Sequence, residues 1–297
     1  MTHNRRHAQR LASLRRLVEA FRNEELPCVS LKGPLLAERF YPFPYLRPAS
    51  DLDLLIRESD VGPAARLMEK LGFRLEGSYP WILQRRLVHH LNYGPTSFSP
   101  RVEVHYDLRA GRYAFESSEF LIRSIALQLS DGIEASVMSV ADESFYSCVH
   151  AANHAFHRLR WLYDAIVIAR TLSPEDRIRV RELATRHGQT GHFVAAEMAA
   201  REWFGQSLNL DCENFAVPRL WCRLTPRHTR RMVERVEGST STALEKLGSR
   251  IDLCRMAGSP WEAVRLLGWQ LDIETRKRWY SLLNSPDPDT LARTLPG

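Results

Sequence analysis

Ser50-Asp51-Leu52-Asp53-Leu54-Leu55-Ile56 alternates polar and apolar residues at its start and is wholly apolar at its end. That is the pattern of a β-strand that begins at a polar edge and runs into a core. Side chains two residues apart on a strand point the same way, so Asp51 and Asp53 share one face with Cα atoms about 7 Å apart. Two carboxylates so placed repel, and at the mouth of an apolar strand they need a cation or donors to offset that repulsion. Val102-Glu103-Val104-His105-Tyr106 alternates in the same manner, setting Glu103 and His105 on one face and Val102 and Val104 on the other. A strand bearing Glu103 beside the Asp-x-Asp strand completes three carboxylates. Such a set suits two Mg²⁺ ions and the chemistry of phosphoryl or nucleotidyl transfer.

Upstream, Cys28-Val29-Ser30-Leu31 is a short apolar run that leads into Lys32-Gly33-Pro34. This predicts a strand, a tight turn and a helix with proline in its first turn. A glycine at a strand-to-helix turn lets backbone amides approach a triphosphate, and the helix N-terminus behind it favours the anion. Pro42, Pro44 and Pro48 forbid regular structure between Tyr41 and Ala49. Arg47 and Ser50 stand at the exit of that loop, and with Lys32 and Gly33 they form the candidate nucleotide-binding set.

The periodicity predicts helices over 5–22, 34–41 and 60–72, and further strands near 73–77, 87–93 and 101–108. Beyond residue 115 it is almost entirely helical, with helices over 117–129, 141–157, 160–172, 174–187, 191–204, 243–257 and 260–283 and polar joints near 206–218 and 238–242. Strands and helices thus share residues 1–115, and a mainly helical region follows over 116–297, an α+β class. His150, His154 and His157 are spaced four and three apart and share a helix face, with Asp164 on the next helix. With His105 they are candidates for an acceptor site, although helix packing and an Arg160–Asp164 pair account for the same spacing.

Composition narrows the function classes. The 297 residues are 44% hydrophobic and 26% charged, which excludes disordered and low-complexity architectures. The net charge of +6 is evenly spread, since residues 1–140 hold 19 basic and 16 acidic side chains and residues 141–297 hold 22 and 19. No strong nucleic-acid patch follows from that spread. Five widely spaced cysteines without a C-x-x-C pair suggest neither a zinc site nor a disulfide framework, and fit a reducing cytoplasm. No run approaches 18 apolar residues, so membrane spanning is not expected.

The order Leu31-Lys32-Gly33, Arg47, Asp51-Leu52-Asp53-Leu54-Leu55 and Val102-Glu103-Val104-His105 resembles the nucleotidyltransferase superfamily of DNA polymerase β type. More narrowly it resembles the poorly characterised bacterial nucleotidyltransferase family found near some peptide natural-product clusters. The resemblance covers roughly residues 28–172 and includes His150, His154, His157, Leu159, Arg160, Trp161, Leu162 and Asp164, which look like that family's helical motif. The wider superfamily has Gly-Ser or Gly-Gly at the turn; Gly33-Pro34 removes one N–H and one hydroxyl, contacts that Lys32 or Arg47 can replace.

The resemblance implies a small mixed sheet flanked by helices with a helical C-terminal region, and Mg²⁺-dependent transfer of a nucleoside monophosphate from ATP or another NTP. Asp51, Asp53 and Glu103 would hold the ions, and Glu103 or a metal-bound hydroxide would take the acceptor proton. A small hydroxylated metabolite, a peptide or protein hydroxyl and an RNA end are all suitable acceptors. The alternatives are an inactive module of this fold that binds RNA or a protein, and an Asp-x-Asp glycosyltransferase.

Overall fold

The Asp-x-Asp stretch forms the fourth strand of a seven-stranded mixed sheet in a computed structural model of the chain. The structure describes residues 3–77, 79–110, 113–115, 117–129, 134–154, 156, 158–215, 260–283 and 289–296. The chain divides into two compact units, one comprising Met1–Arg109, Ala114–Ser139 and Thr275–Gly297, the other Ala110–Tyr113 and Val140–Glu274.

The first unit opens with helix α1 (His3–Asn23), β1 (Val29–Leu31), α2 (Gly33–Phe40), β2 (Asp51–Leu55) and α3 (Val61–Lys70). It continues with β3 (Leu75–Glu76), α4 (Trp81–Leu87), β4 (His90–Tyr93) and β5 (Arg101–His105). A separate two-stranded sheet, β6 (Leu108–Ala110) and β7 (Tyr113–Phe115), precedes α5 (Ser117–Ile122), β8 (Ile125–Gln128) and β9 (Glu134–Val137). The large sheet runs β3-β4-β5-β2-β1-β9-β8. β2 pairs parallel with β5 and antiparallel with β1, and β4 pairs antiparallel with β5.

Directly paired residues share a sheet face, so the register fixes both faces of the central strands. Leu52 and Leu54, Val102 and Val104, and Leu91 and Tyr93 lie on one of them. They are buried in a single cluster with Leu14, Leu17 and Phe21 of α1 and Ala64, Leu67 and Met68 of α3. The apolar stripes of these helices follow the expected 3.6-residue spacing, and burying them here is what holds the sheet in register.

Two segments differ from the periodicity. Residues 117–129 divide into α5 and β8, and Ile122 and Ile125 are 80% and 43% exposed rather than buried along one helical stripe. β8 is instead held by antiparallel pairing to β9, so the sheet continues well past residue 115. Residues 87–93 likewise are not one strand, since α4 follows Pro80 and runs to Leu87 before β4 starts at His90.

The second unit contains α6 (Val140–Asn153), α7 (Leu159–Ala169), α8 (Pro174–Arg186) and α9 (Thr190–Phe204). α8 begins in a capping box between Ser173 and Asp176. The polar joint after α9 is closed by buried Glu197, which accepts from the Ser207 hydroxyl at 2.8 Å and the Leu208 amide at 2.7 Å. Later in the chain come α10 (Pro260–Leu283) and α11 (Thr290–Thr294), of which the residues from Thr275 on belong to the first unit. The helix expected over 243–257 and the joint at 238–242 lie outside the described residues, as does His157.

Candidate active site

The face of β2 and β5 opposite the core carries the candidate residues. Asp53 lies directly across from Glu103 in the parallel register and from Leu31 in the antiparallel one. Strand β1 therefore delivers its next residue, Lys32, beside Asp53. Lys32 has φ 45° and ψ −130°, and Gly33 has φ 54°. Both values lie in the left-handed half of conformational space, which glycine enters freely and lysine does not. Pro34 follows in the first turn of α2, as expected from the sequence.

Asp53 is 6% exposed, and Oδ1 lies 3.1 Å from His105 Nε2. Burial alone would raise the carboxyl's pKa; the Lys32 charge and the His105 hydrogen bond outweigh it and hold the pKa at about 2. An ionised carboxylate can only accept, so His105 donates from Nε2. Glu103 Oε2 is 3.6 Å from the same Nε2. Burial and the Asp53 charge together raise the Glu103 carboxyl above its usual range. Asp53, Glu103 and His105 each offer a ligand atom, and these atoms all lie within 4.8 Å of one another.

Asp51, two residues before Asp53, shares this face but lies outside that tight group; its charge is felt by Glu103 and by Arg10 of α1. Ser50 is exposed at the bend before β2. Arg47 is buried at 4% exposure and donates from Nη1 to the Gly33 carbonyl at 2.9 Å, which ties the proline-rich loop to the turn. The set Lys32, Gly33, Arg47, Asp53, Glu103 and His105 is thus assembled within the first unit.

His150, His154 and Asp164 lie in the second unit. His150 and His154 rings are 4.6 Å apart, and each centroid is 4.8 Å from that of Trp161, with the Arg158 guanidinium over the indole at 5.2 Å. Asp164 is buried on α7.

Two further histidines join the site without having been singled out in the sequence. His90 pairs with His105 across β4 and β5, and His89 precedes it at a bend. Ligand nitrogens of His89, His90 and His105 also lie within 4.8 Å of one another. The signal was present as a His-His doublet entering an alternating strand, but it becomes informative only once β4 is known to lie against β5.

The sequence profile of a family described as uncharacterised nucleotidyltransferase matches residues 2–205. The chain belongs to this family. It is accordingly a nucleotidyltransferase, a transferase enzyme. No curated protein matches it. Among solved structures it is similar to the antibiotic-resistance factor ANT(2'')-Ia in solution, at 14% identity and a TM-score of 0.40, over 57% of this chain and 87% of that one. Among the described residues no helix is long and apolar enough to cross a membrane.

Proposed function

We propose that this nucleotidyltransferase moves a nucleoside monophosphate from an NTP to a hydroxyl-bearing acceptor on the polar face of β2 and β5. The observation that carries the reading is the register: Leu31, Asp53 and Glu103 lie side by side, so the Lys32-Gly33 turn and the two carboxylates meet at one place. Oxygen donors gathered within 4.8 Å fit a hard divalent cation such as Mg²⁺. Asp53 and Glu103 would hold it, with Asp51 on the same face available to a second. Bound there, such ions supply positive charge that makes the acceptor hydroxyl more acidic and the pyrophosphate a better leaving group.

The chain's own groups do the remaining work. The Gly33 backbone and the α2 N-terminus cradle the triphosphate. Lys32 adds charge beside it, and Arg47 keeps the turn in place through the Gly33 carbonyl. His105 orients Asp53, leaving Glu103, the more basic of the two carboxylates, to receive the acceptor proton. His150, His154 and Asp164 are proposed to recognise the acceptor; His154→Ala would then raise the acceptor KM with NTP binding unchanged. Cys28, Cys148 and Cys212 are free thiols, which supports the cytoplasm as the proposed compartment. The test is incubation with each α-labelled NTP, Mg²⁺ and a lysate of the source cells. A labelled product formed by the wild type and absent with Asp53→Asn supports the reading, and label transfer by the variant at wild-type rate defeats it.

A further inference from the structure

The register that aligns Glu103 with Asp53 also brings three imidazoles together just beyond them. Ring centroids are 4.9 Å apart for His89 and His90, 5.0 Å for His90 and His105, and 5.6 Å for His89 and His105. We propose that His89, His90 and His105 form a nitrogen-lined site for a borderline transition cation such as Zn²⁺ or Co²⁺, adjoining the oxygen donors proposed for Mg²⁺, with Glu103 Oε2 4.0 Å from His90 Nε2 and 3.6 Å from His105 Nε2.

Three observations carry this. Ligand nitrogens of all three rings fall within 4.8 Å of one another, the span that a single ion closes when it draws its ligands in. His90 and His105 each keep an Nδ1 that is buried and has no hydrogen-bond partner. A buried polar atom left in that condition is costly, and a cation removes the cost. His105 already gives its Nε2–H to Asp53 at 3.1 Å, the carboxylate–histidine arrangement that fixes the tautomer of a metal-bound imidazole and leaves the other nitrogen as the donor.

The backbone around the doublet is fixed before any ion arrives. The Tyr106 hydroxyl donates to the Val88 carbonyl at 2.8 Å, and the Tyr106 amide donates to the His89 carbonyl at 3.2 Å. Gln84 Nε2 donates to the His90 carbonyl at 3.1 Å. The bend at His89 is what allows consecutive histidines, which would point to opposite faces of a regular strand, to converge. Imidazole nitrogen prefers Zn²⁺, Co²⁺ or Ni²⁺ to Mg²⁺, and three protein ligands leave a position open.

The experiment is a titration of chelator-treated full-length protein with Co²⁺ in excess Mg²⁺, which occupies the oxygen donors. Wild type should develop visible ligand-field absorption of nitrogen-bound Co²⁺ that saturates near about one ion per chain and is displaced by Zn²⁺. His89→Ala should weaken binding at least about tenfold with an unchanged circular dichroism spectrum, and Asp53→Asn should weaken it about ten- to a hundredfold by freeing the His105 ring. His90→Asn, which preserves size, replaces His89→Ala if that variant unfolds. Absence of the band in wild type, or wild-type Co²⁺ affinity in the histidine variants, overturns the proposal. Label transfer in Mg²⁺ alone is a separate readout; its absence in wild type would overturn the transfer reading and leave the Co²⁺ result standing.

Discussion

Strands β2, β4 and β5 present two faces built from alternate residues of the same short segments. One buries Leu52, Leu54, Val102, Val104, Leu91 and Tyr93 beneath α1 and α3. The other gathers Asp53, Glu103, His105 and His90. A shift of one residue in any strand would exchange the two, carrying carboxylates into the core and leucines to the site. The packing of one face therefore sets the alignment of the other, and the proposed chemistry would depend on residues that never touch it.

The largest effect expected is on the polar face. Asp53→Asn should lower label transfer about a thousandfold or more, equivalent to about 4 kcal/mol on the barrier. Because Lys32 and His105 favour the ionised form of Asp53, the variant should also melt somewhat earlier in metal-free buffer. Equal activity in the two proteins would remove the polar face from the chemistry.

The matching change on the core face is Leu54→Ala, one residue away. It should cost about 3–4 kcal/mol of stability through lost burial and the cavity left behind, read by urea denaturation. Activity per folded molecule should remain close to wild type. A selective loss of turnover in the folded fraction would show that the two faces are not separable in this way.

His192 of α9 extends the comparison to an imidazole buried outside the candidate site. Burial alone pushes its pKa down from 6.5 to about 4. The folded ring stays neutral where the unfolded one takes up a proton, so its contribution is fully present above pH 6.5 and lost as pH falls from there through about 4. The loss should reach on the order of 3 kcal/mol. Denaturation of wild type and His192→Gln at pH 7 and pH 5 checks this, and an unchanged pH profile in the variant would refute it.

The smallest effect concerns the turn that serves the polar face. A Cβ at Gly33 meets nothing within 4 Å, so Gly33→Ala pays only for its φ of 54°, about 1–2 kcal/mol of stability. Thermal denaturation reads it; no change would mean that the turn relaxes without strain.

Much of this face was legible because a strand's period of two is local: Asp51, Asp53, Glu103 and His105 announce their side by alternation alone. What sequence could not supply was pairing. That Asp53 sits opposite Glu103, and His90 opposite His105, depends on registers between strands up to 50 residues apart in the chain. β8 was hidden for the same reason, being held by its neighbour's backbone rather than by an apolar stripe. Arg47 stood after the proline loop in the sequence, and its hydrogen bond to the Gly33 carbonyl is a contact visible only in three dimensions.

Lys32 occupies a backbone conformation suited to glycine while its charge stabilises the ionised Asp53. With Lys32 serving the triphosphate as proposed, fold robustness and turnover pull this position in opposite directions. A laboratory population selected for heat resistance alone should drift toward glycine or asparagine at residue 32 and slow down, whereas one selected for turnover should keep the lysine and its strained backbone.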